Sequence, residues 1–285
     1  MKTASFIAAC SITASGLAAT AFAATAMGQE YRQARPYPGV DTPAVRAPVP
    51  ATVETSAPVR SRGATAAGTP ERYRLQAPVQ AAFSGPAANA ANWEIGPVIR
   101  GKSRSPGMPL RPTQQGSANA GGWSFDFPYP RPQAGHVHYV TAPASAMQVD
   151  LADARRITMT YRIDAAPGTQ FHPQEYPGTP ATLSLYFQVR GDNWSGRDQY
   201  RFARWYSPAD KVVRLRPGTH TVSIDLDDNW AAVTAFTRDR APGEFRRSLE
   251  NAARIGFTLG GKGGRGHGVY ATGPARFTVL DFRTE

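Results

Sequence analysis

Five segments of this chain carry apolar side chains at every second position. They are Trp123/Phe125/Phe127, Ile157/Met159/Tyr161/Ile163, Leu183/Leu185/Phe187/Val189, Val222/Ile224/Leu226 and Ile255/Phe257/Leu259. A period of two gathers those side chains on one face of a β-strand, whereas the 3.6-residue period of a helix scatters them. The positions between are polar, as in Thr158/Thr160/Arg162 and Ser184/Tyr186/Gln188. Each segment is therefore expected to be a half-buried strand. Shorter alternating runs lie at 93–99, 137–140, 200–206, 212–215, 269–271 and 276–282. Pro, Gly and Asn/Asp turns separate them, such as Arg190–Asp198 and Arg216-Pro217-Gly218-Thr219. Pro242–Ala253 has helical spacing, with Phe245, Leu249 and Ala252/Ala253 on one side. The pattern predicts an all-β protein, a jelly-roll-type β-sandwich with one short helix. The embedded helix and the dense prolines argue against an outer-membrane barrel.

Composition divides the chain in three. Residues 1–26 have Lys2 as their one charge, an apolar and small-residue stretch from Phe6 to Phe22, and small-x-small patterns at Ala21-Phe22-Ala23 and Ala24-Thr25-Ala26. These are the marks of a secretory signal peptide. Cys10 is the sole cysteine and is expected to leave with it, although Ile7-Ala8-Ala9-Cys10 superficially matches a lipoprotein box. A mature protein without cysteine suits an oxidising compartment and excludes thiol catalysis. Residues 27–91 are rich in Ala, Pro, Thr, Ser, Gly and Arg and poor in large apolar side chains. Such a stretch buries too little surface to offset its ordering entropy, so a disordered linker is expected. Its seven arginines against four acids also suit contact with an anionic envelope surface. The folded domain is expected over residues 92–285.

The run Leu183–Trp205 combines an alternating strand, a Gly-Asp-Asn-Trp hairpin and a return strand reading Tyr-Arg-Phe-Ala-Arg-Trp. It resembles the middle of a galactose-binding-like β-sandwich. So does Arg254–Phe282, which opens on Ile-Gly-Phe-Thr-Leu-Gly-Gly and closes on Phe277-Thr-Val-Leu-Asp-Phe282. Carbohydrate-binding modules share this architecture, and the domain is also similar to an uncharacterised family of exported bacterial proteins. The resemblance covers 92–285 as a strand pattern and implies a sandwich and glycan binding. One fold serves many functions, so it supplies no mechanism.

Sugars stack their C–H faces on flat rings and present hydroxyls to polar groups. Trp194, at an expected hairpin tip beside Asp192, Asn193 and Arg197, is the leading candidate ligand-binding residue. Tyr186, Gln188 and Arg190 would project together from one polar strand face, with Arg204 and Trp205 on the return strand. His136 and His138 share a face and could pair on a metal, but no third ligand follows in sequence, so surface or hydrogen-bonded histidines are expected, with His138 counted among the candidate ligand-binding residues. Six glycines crowd positions 260–268 around Lys262, Arg265 and His267. That loop either joins strands flexibly or binds an anion on an acidic glycan. It lacks the Gly-Lys-Ser/Thr of a phosphate loop. Asp225, Asp227, Asp228 and Asn229 gather oxygen atoms, and Asp281 or Glu94 are further conceivable ligands. None has the spacing of a helix-loop-helix calcium site, so structural Ca²⁺ has no motif behind it and no cofactor is expected.

The formal charge of +11 and a pI of about 10.1 suit an acidic polymer as partner. Export and the scatter of the arginines argue against nucleic acid. The expected function is that of an exported, periplasmic or extracellular, noncatalytic carbohydrate-binding protein for an envelope or extracellular polysaccharide, acidic ones included. Two alternatives stand beside it. One is a polysaccharide-active enzyme using His136, His138, Tyr186 and Arg204. The other is a structural envelope protein.

Overall fold

The computed structural model describes residues 83–116, 121–262 and 266–285. The signal-peptide and most of the linker assignment lie outside the described residues, as does Arg265. What is described is an all-β sandwich with a single α-helix among the described residues.

The larger sheet runs β1 (Glu94–Gly96), β6 (Tyr139–Pro143), β14 (Ala252–Gly260), β9 (Thr182–Val189), β10 (Arg204–Tyr206) and β13 (Ala231–Ala232), with β11 (Val213–Arg214) paired on β9. The smaller sheet runs β12 (Gly218–Asp225), β7 (Arg156–Ala165), β16 (Ala275–Thr284), β5 (Trp123–Asp126) and β4 (Thr113–Gln114). Two short ribbons flank them, β15 (Val269–Ala271) on β8 (Phe171–Pro173) and β2 (Val98–Ile99) on β3 (Lys102–Ser103). Every pairing in both sheets is antiparallel.

The alternating apolar positions of both sheets meet in one core. Phe277 of β16 stacks on Phe125 and Tyr161 within its own sheet, at 5.1 and 4.8 Å between ring centroids. It then reaches across to Phe257 of β14 at 5.2 Å. Helix α1 (Pro242–Glu250) takes Pro at its first turn, where no amide partner is lost. Its Phe245 fits against Trp205 (4.9 Å) and Phe187 (5.7 Å). The helix ends before the expected Ala252/Ala253, because Ala252 is already paired with Val189 in the sheet.

The structure departs from the sequence reading in three further places. Strand β9 is buried on both faces: Ser184, Tyr186 and Gln188 are as enclosed as Leu183, Leu185 and Phe187. Alternation reports which face meets the core, but not that loops roof the other. Second, the packed part begins before residue 92. Phe83, Ala87, Ala88 and Ala90 are buried, and Ala87 O accepts hydrogen bonds from both Trp93 Nε1 (2.8 Å) and Trp123 Nε1 (3.2 Å). Small residues there lower the mean apolar character yet fit closely against the tryptophans. Third, Tyr200–Tyr206 is a strand only from Arg204; residues 198–200 form a 3₁₀ turn.

Candidate functional site

The outer face of the larger sheet holds most of the residues selected from the sequence. Register sets Glu94, Thr141, Gly256, Tyr186 and Tyr206 in one row across β1, β6, β14, β9 and β10. The neighbouring row contains Arg254, Gln188 and Arg204. Tyr139, Tyr186 and Tyr206 form a second buried cluster, separate from the core, with Trp194 and Val233 packed against it. Tyr139 Oη and Tyr206 Oη lie 3.0 Å apart in a hydrogen bond.

Two loops roof this floor. The first joins β9 to β10 and carries Trp194. Asp192 folds it: its Oδ1 accepts from Trp194 N (3.0 Å) and its Oδ2 accepts from Gln188 Nε2 (2.8 Å). Arg204 lies beneath the loop, its side chain 4% exposed, with Nε 3.0 Å from Oδ2 of the fully enclosed Asp192. Its NH2 donates to Trp194 O at 2.8 Å, and its guanidinium carbon is 5.0 Å from the indole centroid. The indole edge meets the Tyr139 ring at 5.1 Å. These contacts hold Trp194 at φ 70°, a left-handed conformation costly for a bulky side chain. The residue is half-exposed.

The second roof is residues 266–268, just ahead of β15. A Cβ on Gly266 would sit 2.4 Å from Tyr139 Cζ, and one on Gly268 would sit 2.5 Å from His136 Cδ2. Only a residue without a side chain lets the backbone lie on those rings. The imidazoles of His136 and His138 are 4.5 Å apart, and His267 Nδ1 lies 2.5 Å from Glu175 Oε2. Burial, then the neighbouring His136 and His267, lower the His138 pKa to about 3. Burial also lowers His136 and His267; Glu175 pulls His267 the other way without offsetting it. These shifts favour the neutral imidazole in all three. Among the described residues no group of His, Cys, Asp and Glu is arranged to hold a metal ion.

Three polar atoms in the floor, Tyr186 Oη, Gln188 Oε1 and Arg204 Nε, are buried and have no hydrogen-bond partner among the described residues, although Arg204 Nε is ion-paired with Asp192. Burial pushes the Tyr186 phenol well above the usual tyrosine range, with Tyr206 adding to the shift, so it remains a donor. A buried donor and a buried acceptor left open cost free energy unless water or a ligand reaches them.

The structure thus brings together Trp194, Tyr186, Gln188 and Arg204, and places His138 and His267 under the adjoining roof. Trp205 does not join them. It points into the core with no exposed surface, because its neighbours Arg204 and Tyr206 take the outward positions of β10. Arg190 lies past the end of β9 and is exposed, not part of the Tyr186/Gln188 face. Sequence reasoning missed Asp192 as the organising carboxylate, Tyr139 as the ring that both loops touch, and Tyr206 as its partner. Tyr139 carried a signal, since it stands beside His138 in a short apolar run. The oxygen-rich segment is engaged internally: Asp225 pairs with Arg156 and Asp228 with Lys211, each at 2.5 Å. Glu94 pairs with Arg254 (2.7 Å), and Asp281 with Arg283.

No protein-family model and no curated protein matches this chain. Among solved structures it is similar to the X-ray crystal structure of a non-crystalline cellulose specific carbohydrate-binding module, CBM28. The two are 11% identical, with a TM-score of 0.38, over 71% of this chain and 92% of the other.

Proposed function

We propose that this protein is an exported, noncatalytic glycan-binding module that takes an envelope or extracellular polysaccharide, acidic ones included, on the outer face of its larger sheet. The observation that carries this reading is Trp194. A half-exposed indole is held in a strained backbone conformation by an enclosed arginine–aspartate pair below and a tyrosine ring beside it. Strain that neighbouring groups over-determine belongs to sites where geometry matters. A fixed flat ring offers a stacking platform with little ordering cost on binding.

Retention of the full chain and of Trp194→Ala on immobilised neutral and acidic polysaccharides tests the reading. At least one polymer should hold the parent chain, and the variant should bind it about tenfold or more weakly while melting within a few degrees of it. Equal retention of both proteins overturns it. Export is tested separately, by N-terminal sequencing of protein from the medium or periplasm. The mature chain should begin just after Ala23 or Ala26, and intact leader on cytosolic material would count against secretion.

A further inference from the structure

The smaller sheet carries a groove of about 390 Å³ on its outer side that the Trp194 site does not use. Its floor is a cross-strand pair, Asp126 on β5 opposite Arg276 on β16. Arg276 donates from Nε to Oδ1 (2.7 Å) and from NH2 to Oδ2 (3.0 Å), fork to fork. Both side chains remain more than half exposed. The pair therefore keeps unused capacity: a guanidinium has five N–H donors and a carboxylate about four lone-pair sites, and two of each are engaged. Beside it Gln115 Nε2 donates to Ser124 Oγ at 2.8 Å, and both residues line the same groove. Tyr129, one of the few large apolar side chains left exposed (47%), lines the groove with Pro109 and Pro128.

The wall opposite is built before any ligand arrives. Two chain segments cross at glycines: a Cβ on Gly107 would lie 2.2 Å from Ala134 O, and one on Gly135 would lie 2.0 Å from Pro106 O. Both residues have left-handed φ (73° and 127°), and His136 N closes the crossing by donating to Pro106 O at 3.0 Å. A fixed wall, a flat ring and a polar floor of zero net charge define a ligand class. Arg162 and Asp164, paired at 2.9 Å on the adjacent strand, are likewise balanced. A charged ligand would meet as much repulsion as attraction. A sugar ring without charge offers an apolar face to Tyr129 and hydroxyls that accept from Arg276 and donate to Asp126.

We propose that this groove is a second binding site, for a neutral saccharide ring, on the sheet opposite to the Trp194 site. The choice of a sugar rests on the glycan reading above, but the residues are independent of it. The test is NMR on the full chain carrying fluorotyrosine and ¹⁵N-indole labels, with Tyr129 assigned from Tyr129→Phe and Trp194 from Trp194→Phe. The probes are cellohexaose, mannohexaose, maltohexaose and an oligogalacturonate. The Tyr129 resonance should move saturably with at least one neutral hexasaccharide. The midpoint should change less than twofold between 50 and 500 mM NaCl (approximate working concentrations) and weaken about tenfold in Arg276→Gln, with that variant's melting temperature as folding control. Movement of Trp194 with a static Tyr129 overturns the groove and leaves the glycan reading standing. Movement of Tyr129 with a static Trp194 upholds the groove and removes the first site. Silence of both with all four probes overturns both. A Tyr129 response confined to the oligogalacturonate and lost with salt overturns the neutral-ligand assignment.

Discussion

The pair Arg204–Asp192 shows how one residue's setting decides what it can do. Both side chains are enclosed, so neither charge is solvated, and each relies on the other. Arg204 also ties down Trp194 through its carbonyl and its ring. Arg204→Ala should therefore destabilise the domain by about 3–5 kcal/mol, because it strands the Asp192 carboxylate in a closed space. The double variant Arg204→Ala/Asp192→Ala should lose clearly less than the sum of the two single losses. Urea unfolding of the four proteins measures this; strict additivity would show that the two charges do not act as a unit. The sequence offered Trp194 for its place at an expected hairpin tip and Arg204 for its place on the return strand. It offered Trp205 from that same strand, where the pleat phase of β10 turns the indole into the core while Arg204 lies beneath the roofing loop.

At the scale of elements, strand existence was legible and the ends and roofs were not. Strands β5, β7, β9, β14 and β16 stand where alternation placed them, since a period of two on a core face leaves little freedom. The two-residue strands β4 and β13 carry no period to detect. The segment 83–92 is the clearest miss. Small residues and prolines resemble a linker in composition, yet Ala87 and Ala88 are buried and the Ala87 carbonyl accepts hydrogen bonds from two tryptophans. Phe83→Ala in the full chain should cost about 3 kcal/mol, as expected for an emptied aromatic site. A linker residue would change stability by less than about 0.5 kcal/mol. Chemical unfolding distinguishes the two values directly.

At the scale of the whole molecule, histidine burial sets how stability depends on pH. His136, His138 and His267 all have folded pKa values below the ordinary 6.5. The unfolded chain therefore binds protons first as pH falls. Stability is greatest above about pH 6.5 and declines below it, continuing towards about 3 for His138. Between pH 7 and pH 5 the His138 contribution alone is on the order of 2 kcal/mol. Urea midpoints should drop over that interval, and His138→Gln should flatten the slope by nearly one proton. A stability that rises on acidification would contradict the burial of these rings.

What the sequence determined by itself was the class of fold: repeated two-residue alternation has one efficient burial solution, sheets packed face to face. The location of the core followed from the same signal. What only the tertiary structure decided was which polar residues share a surface. Tyr139, Gly266 and the hairpin carrying Tyr186, Asp192 and Arg204 are distant in sequence, and strand order and loop roofing bring them together. The same holds for Asp126 and Arg276, which meet through an antiparallel register that no local pattern encodes. Periodicity is a property of neighbours along the chain, whereas a binding surface is made by neighbours across it.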